Sequence, residues 1–315
     1  MTAVEQPRYR AFVYDSARWE GFAFRPDDVI ISTPPKCGTT WMQMICALLV
    51  LQTTTFDRSL DLISPWLDML TRDISSVRAD LDAQTHRRFI KTHTPLDGLP
   101  SAADVTYICV ARDPRDVFRS WDNHMANFDV MALLAARDEA VGLDDLPDDF
   151  KEMLAHRPPL GAESEIDRFW VWVDDPTPAT DAMSLLATMH HLQTFWEARQ
   201  QPNVVLLHYS DLQRDLEGEM RRLATRLDID VPEARWPELV EAATFENMRD
   251  RADSLAPDTT HKIWTDNRRF FNRGRTGQWR DILSDADLRR YDRRLSELAE
   301  PELLAWAENG DDSEA

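Results

Sequence analysis

The chain has 315 residues, of which 43% are hydrophobic, so it can bury the core of one large domain or two modest ones. Its 36 basic residues are outnumbered by 56 acidic ones, and the formal charge of −20 argues against a nucleic-acid partner because such a surface repels polyanions. No apolar run approaches the roughly 18 residues of a membrane span, and the polar first residues are unlike a signal peptide. We therefore expect a cytoplasmic protein that is not integral to a membrane.

Short β-branched runs alternate with amphipathic stretches from residue 28 onward. The runs predict strands at 28–33, 88–92, 105–110 and 204–208. Helical spacing of apolar residues predicts helices from about 39, over 114–128, 180–200, 211–227, 237–243 and 285–299. The alternation predicts an α/β fold of three αβα layers, in which a central parallel sheet of about four to five strands is flanked by helices. No internal repeat is visible, and we expect a single domain over 1–315.

The first loop of interest, PPKCGTTW, connects the first predicted strand to the first predicted helix. A helix N-terminus presents free backbone N–H groups and a positive dipole end, and Lys36, Gly38, Thr39 and Thr40 add a charge, close backbone approach and hydroxyl donors. This pattern favours anion binding, although the order differs from the GxxxxGK[ST] motif of nucleotide triphosphatases. An ordinary strand–helix turn with a surface lysine is the alternative.

The second predicted strand ends in IKTHTP, residues 90–95. Lys91 and His93 are two residues apart and therefore lie on the same face of the strand. A histidine at such a strand end can remove a proton from a hydroxyl group. From the residues alone, a structural histidine in a turn is the favoured alternative.

Two further stretches carry basic residues in loops of this acidic chain. In CVARDPRDVFRSW, Arg112 leaves the third strand and Ser120 follows eight residues later, which suits a second phosphate. Pairing of Arg112 with Asp113 or Asp116 is an equal alternative. In FFNRGRTGQW, residues 270–279, two glycines and two arginines predict a loop that closes over a phosphate, or else a solvated turn.

Taken together and in this order, these motifs resemble the cytosolic-type sulfotransferases, whose sulfuryl donor is 3′-phosphoadenosine 5′-phosphosulfate (PAPS). PPKCGTTW is similar to the family's 5′-phosphosulfate loop YPKSGTTW, IKTHTP to its KTHLP segment, and ARDPRDVFRS to its 3′-phosphate segment ARNPKDVxVS. LHYSDLQRD resembles a YEDM-type stretch, ATFENM a TSFxxM stretch, and RGRTGQW the terminal RKGxxGxW. The resemblance covers about 26–283 and implies a P-loop-like form of the fold.

The resemblance implies a role for each matched position. His93 matches the general base and Lys91 the lysine beside it, while Arg112 and Ser120 match the pair on the 3′-phosphate. The implied catalytic residues are His93, Lys36, Lys91 and Ser120. The other positions expected to contact PAPS are Lys36, Cys37, Gly38, Thr39, Thr40, Trp41, Tyr209, Thr244, Phe245, Met248, Phe271, Asn272, Arg273 and Gly274.

This sequence departs from the family pattern at several matched positions. Cys37 replaces the usual serine of the phosphate loop, and Asn272 replaces the first basic residue of RKG. Ala243 stands where a hydroxyl is usual, so we expect Thr244 to supply one instead. Because the backbone N–H of Cys37 remains a donor, we expect a modest effect there and do not assign its thiol as a nucleophile.

We therefore predict a PAPS-dependent sulfotransferase that releases 3′-phosphoadenosine 5′-phosphate (PAP). The three cysteines, Cys37, Cys46 and Cys109, lack metal-site spacing, and we expect no metal. The alternatives are a P-loop-type kinase or NTPase and a catalytically inactive PAPS-binding module. Against the first, the lysine precedes the only glycine of the loop and no magnesium-binding carboxylate motif appears.

The acceptor pocket is expected in two irregular insertions, at about 56–80 and 128–180. Aromatic residues in these insertions, Trp66, Phe169, Trp170 and Trp172, favour a small hydrophobic alcohol, a phenol or a glycolipid as the acceptor, although core packing is the alternative for at least half of them. The sequence gives no strong dimerisation motif, so both a monomer and a homodimer stay open.

Overall fold

The computed structural model describes residues 6–146, 164–181, 183–257, 262–271 and 274–311. Its strands are β1 (Arg10–Ala11), β2 (Tyr14–Asp15), β3 (Val29–Ser32), β4 (Phe89–Thr92), β5 (Thr106–Ala111) and β6 (Val204–His208). Its α-helices are α1 (Thr39–Leu51), α2 (Leu60–Ile63), α3 (Ile74–Ala83), α4 (Pro114–Met125), α5 (Val130–Val141), α6 (Glu165–Asp174), α7 (Leu185–Glu197), α8 (Tyr209–Arg214), α9 (Leu216–Arg226), α10 (Trp236–Ala242), α11 (Phe245–Asp250), α12 (Ala252–Leu255), α13 (Asn267–Phe270), α14 (Asp285–Leu295) and α15 (Pro301–Asn309). Short 3₁₀ helices lie at Ser16–Trp19, Leu96–Gly98, Glu233–Arg235 and Gln278–Asp281.

The central sheet consists of four parallel strands in the order β4–β3–β5–β6, and β1 pairs with β2 in a separate antiparallel ribbon. In β3, Val29 and Ile31 belong to one hydrophobic cluster, whereas Ile30 belongs to a cluster on the other side of the sheet. Because alternate side chains of a strand point to opposite faces, both faces of this sheet are covered. The predicted α/β class and its flanked parallel sheet are confirmed.

The strand order places the important loops together. β3 is the central strand between β4 and β5, with Ser32 paired to Thr92 and Ile31 to Ile108. The loops after β3, β4 and β5 therefore leave the same edge of the sheet, where ligands of open α/β sheets bind. These loops carry the lysine of PPKCGTTW, the histidine of IKTHTP and the arginine of CVARDP.

The predicted irregularity of the insertions is wrong for their described parts. The stretch 56–80 contains α2 and the start of α3, and the stretch 128–180 contains α5 and α6. Asp129 caps α5 by accepting hydrogen bonds from two backbone N–H groups, and Ser164 with Asp167 forms a capping box on α6. These local caps stabilise both helices, and in α5 the cap adds to an apolar spacing that is weak on its own.

Two other predicted helices are shorter than expected. The helix predicted over 211–227 is divided into α8 and α9 because Asp215 has a non-helical backbone, with φ of −142° and ψ of 76°, and its carboxylate accepts from the N–H of Gly218. The helix predicted over 180–200 begins only at Leu185, where Ser184 is its N-cap. Within the described residues, no helix combines the length and apolarity that a membrane crossing requires.

Candidate active site

The loop between β3 and α1 has a backbone shaped for close approach. Lys36 and Gly38 both adopt positive φ, at 72° and 105°. A side chain at Gly38 would place its Cβ only 3.1 Å from Cδ2 of Tyr209, so glycine is favoured here both by the positive φ and by the nearby ring. The hydroxyl groups of Thr33 and Thr39 lie 2.5 Å apart across the loop. The first residues of the thirteen-residue helix α1 line a cavity.

That cavity has a volume of about 460 Å³ and lies at the carboxyl ends of the parallel strands. Fourteen of the predicted site residues line it: Lys36, Gly38, Thr39, Thr40, Trp41, Lys91, His93, Arg112, Ser120, Tyr209, Phe245, Met248, Phe271 and Gly274. The four sequence motifs therefore meet at a single cavity.

The remaining predicted site residues are placed differently. Cys37 is fully buried, and burial raises the pKa of its thiol to about 12, so it is a protonated packing residue rather than a nucleophile. Thr244 is the N-cap of α11, where its hydroxyl group accepts from the N–H of Asn247 and donates to the carbonyl of Glu241 at 2.8 Å. It does not line the cavity formed by the described residues. Asn272 and Arg273 lie outside the described residues.

His93 follows β4 and is held by its ring. Its Nδ1 lies 2.7 Å from the carbonyl oxygen of Thr33, which can only accept, so Nδ1 carries the proton and Nε2 has a free lone pair. Burial, followed by the charge of Lys91, holds the pKa of His93 well below its usual range. The imidazole is therefore neutral and ready to accept a proton.

Lys91 lies beside His93 and shares an aromatic neighbour with it. Its ammonium group is 4.2 Å from the centre of the Trp66 ring, and this ring meets the His93 imidazole edge to face at 4.8 Å. Burial lowers the pKa of Lys91 to about 8, and the charge of Asp68 opposes this effect. Trp66 thereby joins the two predicted catalytic side chains into one packed unit.

Lys36 extends from the loop toward α4. Its Nζ lies 2.9 Å from Nδ1 of His124 and 5.0 Å from the centre of the Phe270 ring. Burial lowers the pKa of Lys36 to about 7, and the charges of Lys91 and Arg112 lower it further. Such mutual repulsion among buried cations favours the binding of an anion between them.

Arg112 follows β5 and contacts the loop from the other side. Its guanidinium group donates to the carbonyl of Lys36 at 3.2 Å and to that of Arg275 at 3.1 Å, and it stacks on Tyr209 at 4.3 Å. Within the described part of the chain Arg112 forms no ion pair with Asp113, which pairs with Arg115 instead. The charge of Arg112 does act on Asp116, where it lowers the pKa of the carboxyl group against the larger effect of burial. The buried Nε of Arg112 finds no hydrogen-bond partner among the described residues.

The basic loop before Trp279 is anchored on α4. The carboxylate of Asp116 accepts from the N–H groups of Gly277, at 2.6 Å, and Gln278, at 2.9 Å. The indole of Trp279 donates to Asp113 at 2.9 Å. These contacts fix the described end of the loop on α4, and its closing over a phosphate stays a prediction.

Aromatic residues line a part of the cavity next to Lys36, Lys91 and His93. Trp66, predicted in this role, is joined by Trp121, Phe128, Trp264 and Phe270, which sequence reasoning did not select. Phe169, Trp170 and Trp172 do not line it and pack in the second hydrophobic cluster instead. An aromatic wall of this kind suits an apolar or ring-shaped molecule.

Sequence reasoning did not select three polar residues in or next to the site. His124 lines the cavity, whereas Asp68 and Asp116 hydrogen-bond to segments that border it. The register of α4 contained a signal for His124, since it lies one turn after Ser120 and thus on the same face. Asp116 appears in the motif RDPRDV only as a possible partner of Arg112. Asp68 lies in a loop with no local pattern to distinguish it.

Comparison with known proteins identifies the class of enzyme. The model of the sulfotransferase domain matches residues 26–301, and the chain belongs to this family. It is accordingly a transferase of sulfur-containing groups, as predicted, and the kinase interpretation is set aside.

Relatives extend over nearly the whole chain. A glycolipid sulfotransferase of Mycobacterium bovis (strain BCG / Pasteur 1173P2) is 41% identical over 313 residues, which cover 96% of this chain and 94% of that protein. Glycolipid sulfotransferase Rv1373 of Mycobacterium tuberculosis (strain ATCC 25618 / H37Rv) is 42% identical over 317 residues, with the same coverage. Human sulfotransferase 1E1 is 24% identical over 305 residues, covering 95% of this chain and 92% of that protein.

Solved structures share the fold. A retinol dehydratase in complex with androsterone and PAP matches with a TM-score of 0.67 at 20% identity, covering 92% of this chain and 89% of that chain. Mouse sulfotransferase SULT7A1 complexed with PAP matches with a TM-score of 0.62 at 18% identity, covering 90% of this chain and 87% of that chain.

Proposed function

We propose that this protein transfers a sulfuryl group from PAPS to a hydroxyl group of an organic acceptor, with His93 as the general base and PAP as the second product. The observation that carries the proposal is the hydrogen bond from Nδ1 of His93 to Thr33, 2.7 Å long, which leaves Nε2 as a proton acceptor. The same cavity is bordered by Lys36 and Arg112, the two cations that suit the anionic ends of PAPS.

The residues present fit this donor. The buried Nε of Arg112 lacks a partner among the described residues, and an anionic oxygen would supply one. Lys36 and the first N–H groups of α1 would hold the 5′-phosphosulfate, and Arg112 with Ser120 would hold the 3′-phosphate. The adenosine would contact an aromatic and apolar wall made of Trp41, Tyr209, Phe245 and Met248.

Each reacting residue has a distinct task. When bound, PAPS supplies an activated sulfuryl group for transfer. The neutral imidazole of His93 takes the proton of the acceptor hydroxyl at Nε2, because Nδ1 is committed to Thr33. Lys36 and the dipole of α1 stabilise negative charge at the 5′ end of the site. None of these tasks needs a metal ion, and a metal-free reaction stays an expectation.

For the acceptor we propose a glycolipid or a small hydrophobic alcohol or phenol. The relatives named glycolipid sulfotransferases, at 41% and 42% identity, support the first. The aromatic residues that line the cavity support either, since aromatic rings pack on sugar faces as well as on phenols. Incubation with radiolabelled PAPS and a panel of glycolipids, alcohols and phenols would identify the acceptor.

The general base is tested by substitution. We expect His93→Ala and His93→Gln to lose about 10²–10⁴-fold in kcat, the usual contribution of a positioned base, while calorimetry finds PAP affinity within threefold of wild type. His190→Ala is the matched control, because His190 lies outside the cavity and hydrogen-bonds to Tyr9 at 2.7 Å. Unchanged turnover in both His93 variants would remove this residue from the mechanism.

A further inference from the structure

The carboxylate of Asp68 is fully buried directly behind the segment that carries His93. Its Oδ2 accepts hydrogen bonds from the hydroxyl groups of Thr92 and Thr94, each 2.6 Å long, and from the indole N–H of Trp19 at 3.1 Å. Thr92 and Thr94 are the residues immediately before and after His93. A single oxygen atom therefore holds both neighbours of the proposed base.

The two threonines and the two catalytic side chains occupy opposite sides of this segment. Thr92 and Thr94 have no exposed surface, whereas Lys91 and His93 line the cavity. Since alternate residues of an extended chain point to opposite sides, anchoring the threonines behind the strand directs Lys91 and His93 into the cavity. The N–H of Thr94 also donates to the hydroxyl of Thr92 at 2.9 Å, which closes a turn around His93.

The segment that carries Asp68 is itself attached to the sheet. Trp66 forms a parallel bridge with Lys91 at the edge of β4, where the N–H of Lys91 donates to the carbonyl of Pro65 at 2.9 Å. The backbone of this segment thus runs along the strand and places Asp68 behind His93. The carboxylate charge additionally raises the pKa of Lys91, against the larger effect of burial.

We propose that Asp68 is a positioning residue for His93, which fixes the backbone on both sides of the base through the hydroxyl groups of Thr92 and Thr94. The inference rests on the proposed role of His93 as general base. Two contacts then fix the position of the His93 imidazole. Asp68 holds the backbone on both sides of His93, and the carbonyl of Thr33 holds the ring itself. The catalytic step requires such double support because small misplacements of a reacting group reduce rates strongly.

Three variants separate the parts of this arrangement. Asp68→Ala removes the anchor, the double variant Thr92→Val with Thr94→Val removes only the hydroxyl groups, and Asp68→Asn keeps an oxygen that accepts from both. We expect the first two to lower kcat about 10–100-fold, as a displacement of about 1 Å does, with PAP affinity within threefold of wild type. We expect Asp68→Asn to retain most of the activity.

A double-mutant cycle with His93→Ala distinguishes positioning from general damage to the fold. If Asp68 acts through His93, adding Asp68→Ala to His93→Ala lowers kcat by less than threefold, because the effects of coupled residues do not add. Leu303→Ala in α15, a buried residue remote from the cavity, is the control for lost stability. Its effect on kcat, if any, should be the same in both backgrounds.

Three outcomes would overturn the proposal. The first is a wild-type kcat in Asp68→Ala, and the second is that Asp68→Ala lowers kcat as much in the His93→Ala background as in the wild type. The third is that Leu303→Ala, at the same melting temperature as Asp68→Ala, loses as much kcat. If Asp68→Ala does not fold, wild-type kcat in the double valine variant is equally decisive. A wild-type protein that transfers no sulfuryl group from PAPS would instead overturn the proposed function. The two failures are therefore distinguishable.

Discussion

Nζ of Lys36 lies 2.9 Å from Nδ1 of His124, so the lysine of the donor loop is hydrogen-bonded to the helix that carries Ser120. Burial, and then the charges of Lys36 and Lys91, hold the pKa of His124 well below its usual range. The imidazole is therefore neutral and accepts at Nδ1 from the charged form of Lys36. This contact favours the protonated lysine, against the burial that lowers the pKa of Lys36 to about 7.

Replacing His124 is expected to lower the pKa of Lys36 further. His124→Phe keeps an aromatic ring but removes the acceptor, and a net hydrogen bond contributes about 1 kcal/mol. The measurement is the pH dependence of Lys36 acylation, followed by mass spectrometry. We expect its midpoint to move to lower pH in His124→Phe and to stay near the wild-type value in His124→Asn, whose amide oxygen replaces Nδ1. Identical midpoints in all three proteins would contradict the assignment.

Binding of PAP is expected to take up protons above neutral pH. In the free protein, Lys36 with a pKa of about 7 is largely neutral at pH 8, and Lys91 with a pKa of about 8 is partly neutral. A bound anion favours the charged form of both, which raises their pKa values, so the complex gains protons from solution. At pH 8 the phosphate groups of PAP, with a second pKa near 6, are already ionised.

Calorimetry in buffers of different ionisation enthalpy measures this uptake directly. Wild-type protein is expected to take up protons at pH 8 and fewer at pH 6, where both lysines are already charged. In Lys36→Arg the guanidinium group stays charged at both pH 8 and pH 6. This variant should therefore take up fewer protons on PAP binding, by the number that Lys36 contributes in the wild type. If wild type and Lys36→Arg take up the same number of protons at pH 8, Lys36 does not titrate in the site.

Much of the site follows from the sequence because it depends on local patterns and on one rule of topology. Lys91 and His93 share a face through the period of a strand, and the lysine and arginine loops meet because parallel strands end at one edge. The strand at 204–208 was predicted with its observed bounds, since its apolar residues are continuous.

The remainder depends on contacts between distant segments, which local patterns do not encode. Asp68 is 24 residues from Thr92 in sequence, and His124 is 88 residues from Lys36. The helix α5 escaped prediction because its capping residue determines it more than apolar spacing does. The same limit applies to the aromatic wall, since Phe128 and Trp264 meet only through the tertiary fold, with ring centres 4.5 Å apart.

Substitution of Gly38 is expected to damage both stability and donor binding. Its φ of 105° is unfavourable for alanine, and the new Cβ would press on the ring of Tyr209, which supports Arg112. We expect Gly38→Ala to lower the free energy of unfolding by about 1–3 kcal/mol and PAP affinity by at least about tenfold, which is about 1.4 kcal/mol.

The matched control is Gly21→Ala. Gly21 also has a positive φ, of 66°, but a Cβ there meets nothing within 4 Å. Gly21→Ala should lose stability through backbone strain and keep its PAP affinity, whereas Gly38→Ala should lose both stability and PAP affinity. Denaturant unfolding and calorimetry together separate the two effects. Wild-type PAP affinity in Gly38→Ala would contradict the expectation that pressure on the Tyr209 ring weakens donor binding.

Asp116 is expected to support donor binding from beneath the basic loop. Its carboxylate accepts from the N–H groups of Gly277 and Gln278, and the same loop offers the carbonyl of Arg275 to Arg112. In Asp116→Asn one of the two N–H groups faces an amide N–H₂, which leaves a buried donor unpaired at a cost of about 1–3 kcal/mol. We expect PAP affinity to fall about tenfold and stability to decrease, because Arg112 loses a fixed partner.

Asp287→Asn is the control, since Asp287 forms a capping box with Ser284 away from the cavity and should affect stability alone. If both variants bind PAP as wild type does, the anchoring of this loop does not determine the position of Arg112.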